Sequence, residues 1–463
     1  MRVGLMTREY PPYVYGGAGV HVEYLSRELA RTIEVEVHAW GDIPDHDGLK
    51  QLPDDCDPAN LDVHFENPWP LISHGTQAKF KGALEALSLN LLQNLNLDRL
   101  DIIHTHTWYV SMAGFLAKKL YGIPFVLTTH SLEPLRAWKA EQLGSGYALS
   151  SWMERTAVLD ADAIVAVSNG TRADILKAYP DVDPGRIHVI YNGIDLQQYQ
   201  YTPRQDALLK YGVDPHKPYV LFVGRITRQK GVTHLVEAIP HLPPGTQVVL
   251  CAGAPDTPEI ATEMREKVEA VRKQTPGSLP ALVENSTETG GHSIATGDYT
   301  GTGHNIVWIE QMVSKEEAIQ LYSHCAVFCC PSVYEPFGII NLEAMACRAP
   351  VVASATGGIL EVVVDPTYDL SSRPERSAVE RPAPEPATGH LIPFDADPVT
   401  TFPSNPAQFS RDLATRITEL LEDPAKARAM GEAGRKRVED HFSWTAIAAQ
   451  TIKLYNSLIT TKK

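Results

Sequence analysis

Two successive series of short apolar runs are the feature that most constrains how this chain can fold. The first series begins at residues 3–7 and ends at 187–190, and the second extends from 219–223 to 351–353. Helical patterns separate the runs. Short, continuously apolar runs between helices are typical of parallel strands covered on both faces. The two series therefore predict an α/β chain with two Rossmann-like, doubly wound domains.

Composition shifts along the chain predict where these domains begin and end. We expect an N-terminal domain over 1–195 and a C-terminal domain over 196–443, because the polar stretch 197–217 reads as a linker. A last helix at about 444–463 follows a complete second domain, so we expect it to pack back onto the first. Segments 284–303, rich in Gly, Ser and Thr, and 366–388, rich in Pro, interrupt the pattern and predict surface insertions.

Charge and cysteine content restrict the class of protein. The formal net charge is −15, which disfavours general nucleic-acid binding because phosphate neutralisation needs a basic surface. The sequence has no secretory signal pattern and no apolar stretch of membrane-spanning length. Its six cysteines are scattered without a CxxC pair, which favours buried free thiols over disulfides or zinc. A cytoplasmic protein without membrane contact is the expectation.

The turn after the first strand contains a small-residue stretch that includes Gly16 and Gly17. Such a turn lets a ligand approach the backbone at a helix N-terminus, although a tight turn without any ligand has the same composition. The spacing does not match G-x-G-x-x-G, so an NAD-dependent oxidoreductase is disfavoured.

The strand at 220–223 is followed by the cations Arg225 and Lys230. Strand ends of open α/β sheets are ligand positions, and this pair suits phosphate oxygens, although a solvated charged loop is the alternative.

Further along, Glu335 precedes a helix that begins near Gly338 and contains Glu343. The two carboxylates are candidates for sugar hydroxyls, and the backbone N–H groups of Phe337, Gly338 and Ile339 for an anion. A capped helix with two surface glutamates is the alternative.

Histidine and aromatic residues follow two strands of the first series. His130 follows one strand, and His106, Trp108 and Tyr109 end another. Each histidine alone is compatible with a structural role. Because the imidazoles lack acidic partners at metal-ligand spacing, no metal site is predicted.

Taken in order, these motifs resemble those of the GT-B glycosyltransferases of the GT4/GT5 type, and in particular the actinobacterial-type glycogen synthases and maltose-1-phosphate synthases. The resemblance covers nearly the whole chain. It rests on the segments TREYPP (7–12), GGAGVH (16–21), HTHTWY (104–109), HSLEPL (130–135), VGRITRQKG (223–231) and the E-x7-E segment from Glu335 to Glu343. It implies two domains facing a deep interdomain cleft that closes during catalysis.

The resemblance also implies a role for each matching residue. Arg225 and Lys230 would hold the donor diphosphate, Glu343 the ribose, and Glu335 the donor glucose. His130 would lie beside the transferring sugar, and with Arg225, Lys230 and Glu335 it forms the expected catalytic set. The remaining donor contacts would be Gly16, Gly17, Phe337, Gly338 and Ile339. The acceptor contacts would be Glu9, His106, Trp108, Tyr109, Arg136 and Lys139.

The implied reaction is retaining, metal-independent glucosyl transfer without a cofactor, with ADP-glucose preferred over UDP-glucose as the donor. One departure concerns the donor loop, since plant and enterobacterial glycogen synthases carry Lys where this chain has Val14. Fixed cations would stabilise the leaving diphosphate, and the acceptor hydroxyl would attack from the front side.

Elongation of an α-1,4-glucan is the first-named activity. Synthesis of maltose-1-phosphate from a glucose-1-phosphate acceptor is the alternative, and a non-catalytic carbohydrate- or nucleotide-binding protein is a third hypothesis. Arg136 and Lys139 are three residues apart and would share a helical face that suits an acceptor phosphate. An exposed basic turn balancing Glu133 and Glu141 explains the same residues. The oligomeric state is not predicted.

Overall fold

The computed structural model describes residues 1–14, 16–42, 58–75, 78–95, 97, 99–136, 146–274, 304–368, 385–397 and 400–460. The chain forms two compact units. Met1–Asp195 and Phe442–Lys463 belong to the first, while the second comprises Leu196–Ser372 and Arg381–His441. The predicted insertion at 284–303, most of the one at 366–388, and Lys139 lie outside the described residues.

The first unit contains a seven-stranded parallel sheet with the strand order β3-β2-β1-β4-β5-β6-β7. The order reverses direction between β1 and β4, which creates a crevice at their carboxyl ends. The strands are β1 (Arg2–Met6), β2 (Glu34–Trp40), β3 (Leu61–Glu66), β4 (Ile102–His106), β5 (Phe125–Thr129), β6 (Ala163–Ala166) and β7 (Ile187–Val189).

The edge strand β3 is absent from the predicted series of apolar runs. Its sequence, LDVHFE, alternates between polar and apolar residues, and Asp62 and His64 are exposed. An alternating pattern is typical of a strand with one solvated face, so a search for continuous apolar runs does not detect it.

Helices cover both faces of the first sheet. The helices are α1 (Gly17–Leu29), α2 (Pro70–Gly75), α3 (Ala78–Leu92), α4 (Ser111–Tyr121), α5 (Gly146–Asp160), α6 (Asn169–Ala178) and the last helix of the chain, Trp444–Thr460. Side chains alternate along β1, so Val3 and Leu5 enter one core while Met6 enters the other. The last helix contributes Trp444 and Tyr455 to the Leu5 core.

The second unit contains a six-stranded parallel sheet with the order β10-β9-β8-β11-β12-β13. Its order reverses between β8 and β11, where a second crevice is expected. The strands are β8 (Tyr219–Arg225), β9 (Gln247–Gly253), β10 (Asn305–Ile309), β11 (Val327–Cys330), β12 (Val351–Ser354) and β13 (Gly389–Ile392).

The helices of the second unit are α7 (Asp206–Lys210), α8 (Val232–Ala238), α9 (Pro258–Gln274), α10 (Lys315–His324), α11 (Ile339–Ala346), α12 (Ile359–Val362), α13 (Pro406–Glu422) and α14 (Pro424–His441); the last helix of the first unit is α15. The two parallel sheets with their helices confirm the predicted doubly wound α/β class. Five described cysteines are buried free thiols. No helix in the described ranges combines the length and apolarity needed to cross a bilayer.

Candidate active site

In the second unit, the strand-end loops of β8 and β11 bring two predicted site residues together. The Lys230 ammonium donates to Glu335 Oε2 at 2.6 Å, and the Ser332 hydroxyl donates to the same oxygen at 3.2 Å. The Val333 amide donates to the Gln229 carbonyl at 2.9 Å, which ties the two loops to each other. Lys230 and Glu335 therefore form one fixed pair at the point where the strand order reverses.

Arg225, the last residue of β8, has a carboxylate partner that the sequence analysis did not identify. Its guanidinium lies 2.8 Å from Asp256 Oδ1, in the loop after β9. The interaction orients the guanidinium at the strand end. Asp256 belongs to none of the motifs, so only the pairing of β8 with β9 connects it to Arg225.

Glycine conformation sets the backbone around Glu335. Gly357 has φ +53°, and a Cβ there would lie 1.8 Å from the Glu335 carbonyl oxygen. The Gly358 amide donates to that same oxygen at 2.9 Å. Gly338, with φ +98°, is the N-cap of α11. The start of α11 thus lies directly beside the Glu335 loop, and the anion contacts assigned to it stay a prediction.

The flanking residues Phe337 and Ile339 are largely buried, with 2% and 9% exposure. Their side chains are therefore packed in the second unit, and a contribution to ligand binding falls to their backbone groups.

Glu343 lies on α11 between two tyrosines. Tyr199 donates to its Oε1 at 3.1 Å, and Tyr322 donates to its Oε2 at 3.0 Å. Burial raises the pKa of Glu343, and the tyrosine hydrogen bonds counteract part of that effect. The two tyrosines are additional candidate site residues, since they orient the carboxylate that the family resemblance assigns to ribose.

In the first unit, the crevice between β1 and β4 begins with Glu9. Its Oε2 accepts a hydrogen bond from the Gly16 amide at 2.6 Å, immediately before α1. A Cβ at Gly19 would lie 2.7 Å from the Glu9 Cβ. Glu9 therefore organises the loop that carries Gly16 and Gly17, which is a different interaction from the predicted acceptor contact.

Histidines from separate elements converge beside this loop. His106 Nδ1 and His130 Nε2 are 3.1 Å apart, and the rings of His21 and His130 have centroids 4.8 Å apart. His21 Nδ1 is held by the Asn192 side chain at 2.6 Å. His130 and His106 were predicted here; His21 is part of a quoted motif but was not assigned a site role.

Burial determines the charge of these imidazoles. It lowers the pKa of His21 to about 4 and holds the pKa values of His106 and His130 well below their usual range. At neutral pH the group is therefore uncharged, and it offers hydrogen-bond donors and acceptors suited to sugar hydroxyls.

Trp108 and Tyr109, which follow β4, differ in burial. Trp108 is 3% exposed and packs in a cluster with Met112 and Met153. Its ring is enclosed by core side chains, and the acceptor contact expected of Trp108 stays a prediction. Tyr109 is half-buried and stacks on Trp108 with ring centroids 4.1 Å apart.

Arg8, directly after β1, is a cation that the sequence analysis did not assign to the site. Its guanidinium lies 4.3 Å from the centroid of the Tyr109 ring and 5.5 Å from that of Trp40. Within the described part of the chain, its side chain has no ion pair and no hydrogen bond. Arg8 is thus a half-buried charge held by aromatic faces and without a described counter-ion.

Arg136 differs from the exposed basic residue that was considered. It is 9% exposed; its Nη1 donates to Ser131 Oγ at 3.0 Å and lies 3.7 Å from Glu133 Oε1. The Ser150 hydroxyl donates to the other Glu133 oxygen at 2.7 Å. The turn is therefore a buried, partly neutralised network, unlike the exposed basic turn that was the alternative explanation; the acceptor contact of Arg136 stays a prediction.

Folding also assembles two groups of metal-ligating side chains that spacing along the chain did not indicate. One consists of His21, His106 and His130, and the other of Glu36, His38 and His64; the ligand atoms of each group lie within 4.8 Å of one another.

Comparisons with known proteins agree with this architecture. The family models "Glycosyltransferase Family 4" and "Glycosyl transferases group 1" match residues 15–198 and 298–368. The sucrose-phosphate synthase structure from Thermosynechococcus elongatus matches with a TM-score of 0.68 and 24% identity over 99% of both chains. The fold is that of the GT-B glycosyltransferases.

Full-length relatives define the family more closely. The α-maltose-1-phosphate synthase of Mycolicibacterium smegmatis is 42% identical over 99% of this chain and 100% of its own length. A glycogen synthase of Mycobacterium tuberculosis is 26% identical over 98% of this chain and 94% of its own. The chain belongs to the hexosyltransferase family that includes the α-maltose-1-phosphate synthases.

Proposed function

We propose that this enzyme transfers glucose from ADP-glucose to glucose-1-phosphate and so forms maltose-1-phosphate. The observation that carries the proposal is Arg8, a cation without a described counter-ion at the crevice of the first unit. The 42% identity to an α-maltose-1-phosphate synthase supports the same acceptor. The order of preference from the sequence analysis, with glucan elongation first, is therefore reversed.

Charged groups of both signs surround Tyr109. Burial raises the pKa of Tyr109, the positive charges of Arg8 and Arg136 lower it, and the negative charges of Glu133 and Glu9 raise it. Both cations therefore act on the environment of this hydroxyl. Because Glu133 already compensates Arg136, Arg8 is the charge left to pair with a phosphate. A neutral glucan end gains little from such a cation, whereas a phosphate gains charge-assisted hydrogen bonds.

On the donor side, Arg225, Lys230 and the start of α11 would stabilise the diphosphate as the glycosidic bond breaks. Both Lys230 and Ser332 contact Glu335 through Oε2, which favours an assignment of Oε1 to a hydroxyl of the donor glucose. Charges fixed in this way stabilise a leaving group without having to reorient during the reaction. The acceptor hydroxyl would attack from the same face as the departing phosphate, which retains the configuration.

The neutral histidines fit a positioning function. His130 is the least buried of the group and would hydrogen-bond the transferring sugar, while His106 behind it fixes the tautomer through the 3.1 Å contact. Because these imidazoles are uncharged at neutral pH, the positive charge in the first unit would come from Arg8, while Arg225 and Lys230 would supply that of the donor loops in the second unit.

Glucan elongation is the second candidate. It is supported by the glycogen synthase relative, which is 26% identical over 98% of the chain. The donor preference for ADP over UDP rests on the motif resemblance alone and is tested together with the acceptor.

The decisive experiment offers ADP-glucose or UDP-glucose together with either glucose-1-phosphate or glycogen, and identifies the product by mass spectrometry. We expect maltose-1-phosphate from ADP-glucose and glucose-1-phosphate. Elongated glycogen without maltose-1-phosphate would establish the second candidate. Donor binding with no product from any pair would indicate a binding protein.

The phosphate contact is tested with Arg8→Gln. Loss of one charge-assisted interaction, about 1.5–3 kcal/mol, predicts a roughly 10- to 100-fold higher KM for glucose-1-phosphate with little change for the donor. Arg155→Gln is the matched control, because that arginine forms an exposed pair with Asp181 at 3.4 Å in the same unit. Equal KM values for the Arg8 variant and the wild type would refute the assignment of Arg8.

A further inference from the structure

Away from the residues assigned to sugar transfer, β2 and β3 carry a second group of ionisable side chains. The parallel register pairs Glu36 with Asp62 and His38 with His64, and Glu66 lies two residues beyond His64. Registered residues of neighbouring strands share a face, and every second residue along a strand returns to it. These five side chains, called the β2–β3 cluster below, therefore project from one face at the edge of the sheet.

His38 lies at the centre of this cluster, and one of its nitrogens has a carboxylate neighbour but makes no hydrogen bond within the described residues. Its Nδ1 is 2.9 Å from Glu66 Oε1, a distance at which the imidazole N–H donates to the carboxylate. Among the residues that the structure describes, no group forms a hydrogen bond with its Nε2, although His38 is only 8% exposed. A buried polar atom without a partner is uncommon and indicates a missing ligand.

The spacing of the neighbouring ligand atoms suits a metal ion better than a hydrogen bond. Glu36 Oε2 lies 3.6 Å from His38 Nε2. That separation is too long for a good hydrogen bond, yet it is close to the ~3.4 Å between two ligands of a tetrahedral zinc ion. All three ligand atoms of Glu36, His38 and His64 lie within 4.8 Å of one another.

His64 is the adjustable member of the group. Its side chain is 44% exposed, its Nε2 lies 3.1 Å from Oδ2 of the exposed Asp62, and its ring centroid is 4.9 Å from that of His38. If this exposed ring rotates inward, its nitrogen moves by roughly 1 Å and comes close enough to the other two ligand atoms to bind the same metal ion. Solvent beside His64 would supply the remaining coordination position.

We propose that Glu36, His38 and His64 bind one divalent transition-metal ion, such as Zn²⁺, and that Glu66 orients His38 for this purpose. Two imidazoles and a carboxylate form a ligand set that zinc uses. A carboxylate that accepts the second N–H of a ligating histidine is the usual outer partner. The ion would tie the edge strand β3 to β2.

The charge of the surroundings agrees with a dication. Glu36, Asp62 and Glu66 contribute three carboxylates, and Arg2, which pairs with Glu36, contributes one compensating charge. The competing occupant is a proton, which would make His38 an imidazolium between Glu36 and Glu66. Metal binding and protonation are therefore mutually exclusive, and only the former requires His64.

The group formed by His21, His106 and His130 is the less suitable metal site. His106 and His130 already share a hydrogen bond of 3.1 Å, and His21 Nδ1 is engaged by Asn192. It remains a competing location for a bound ion, so the experiment must distinguish the two.

The test uses the full-length protein, freed of metal with a chelator and dialysed against buffered Zn²⁺, with elemental analysis of bound zinc. We expect one ion per chain in the wild type and at least a tenfold weaker affinity in His64→Ala. Glu66→Gln should weaken binding by about 10- to 100-fold while leaving the stoichiometry at one. His74→Ala is the matched control, since His74 is an exposed histidine of the same unit whose Nδ1 lies 2.7 Å from the Pro70 carbonyl oxygen of its own helix.

A second readout separates the site from the transfer reaction. Zn²⁺ should raise Tm in the wild type and in His74→Ala but not in His64→Ala, because a ligand that binds only the folded state stabilises it. Sugar transfer should be equal in all three proteins. No zinc uptake, or uptake undiminished in His64→Ala, would overturn the proposal, and the latter result would place the ion elsewhere, for example at His21, His106 and His130.

Discussion

Replacing Lys230 by Ala tests the electrostatic basis of the proposed reaction. The Lys230 side chain is 17% exposed and Glu335 is 9% exposed, so both charges are held away from solvent at a separation of 2.6 Å. Removal of one preorganised donor to the leaving diphosphate corresponds to about 3–4 kcal/mol of lost transition-state stabilisation. We therefore expect kcat/KM to fall by roughly 10²- to 10³-fold.

The same substitution affects stability, and the two effects must be separated. Without Lys230, Glu335 becomes a buried carboxylate that lacks its cation, which destabilises a fold by about 3 kcal/mol or more. The double variant Lys230→Ala with Glu335→Gln removes that unpaired charge. Its stability should recover toward the wild-type value while its activity stays low, because the cation is still absent and the Glu335 carboxylate assigned to the donor glucose is replaced as well.

The assay measures initial rates of ADP-glucose consumption with glucose-1-phosphate, together with thermal unfolding of each variant. Lys436→Ala is the matched control: this lysine pairs with Asp440 at 3.0 Å on an exposed surface of the same unit. Its kinetics should equal those of the wild type. A Lys230→Ala enzyme that is folded and retains kcat/KM within threefold of wild type would refute the assigned function of this residue.

Three further predictions follow from the described contacts. Burial and then the neighbouring Glu133 raise the pKa of Glu154 to about 8, so the stability that this group contributes is complete below about pH 4.5 and is lost as the pH rises through 8. Tm should accordingly fall more between pH 5 and 9 in the wild type than in Glu154→Gln, and parallel profiles would contradict this. Gly357→Ala should unfold the Glu335 loop and abolish transfer, whereas Gly245→Ala, with φ +79° and nothing within 4 Å of a Cβ, should be only mildly destabilised. Transfer should proceed at an undiminished rate in EDTA, because fixed cations balance the leaving group; activity lost to the chelator and restored by Mg²⁺ would show the opposite.

The doubly wound class was predictable because two-sided burial leaves a direct trace in the sequence. Strands such as Val327–Cys330 and Val351–Ser354 are buried at every position, and they appear as continuous apolar runs. The same logic fails for β3, whose one solvated face gives an alternating pattern. The β2–β3 cluster was therefore not visible before the strands were paired.

The loops that carry the candidate site were predictable because strand ends and helix starts have local signatures. Lys230 and Glu335 were identified from separate motifs, and their assigned roles remain predictions. Their direct contact depends on the loop pairing between Gln229 and Val333, which no local pattern encodes.

What the sequence determined by itself is therefore the local chemistry: which segments are buried strands, and which residue types stand at their ends. Tertiary structure alone decided the partners and the exposure of those residues. His104 binds Tyr455 from the last helix, 351 positions away, and Asn192 holds His21 across 171 positions. It also placed Trp108 in the core and left Arg8 against Tyr109. The physical reason is that burial and hydrogen-bond partners depend on which faces pack together, and these distant residues of the first unit meet only once its sheet and covering helices have formed.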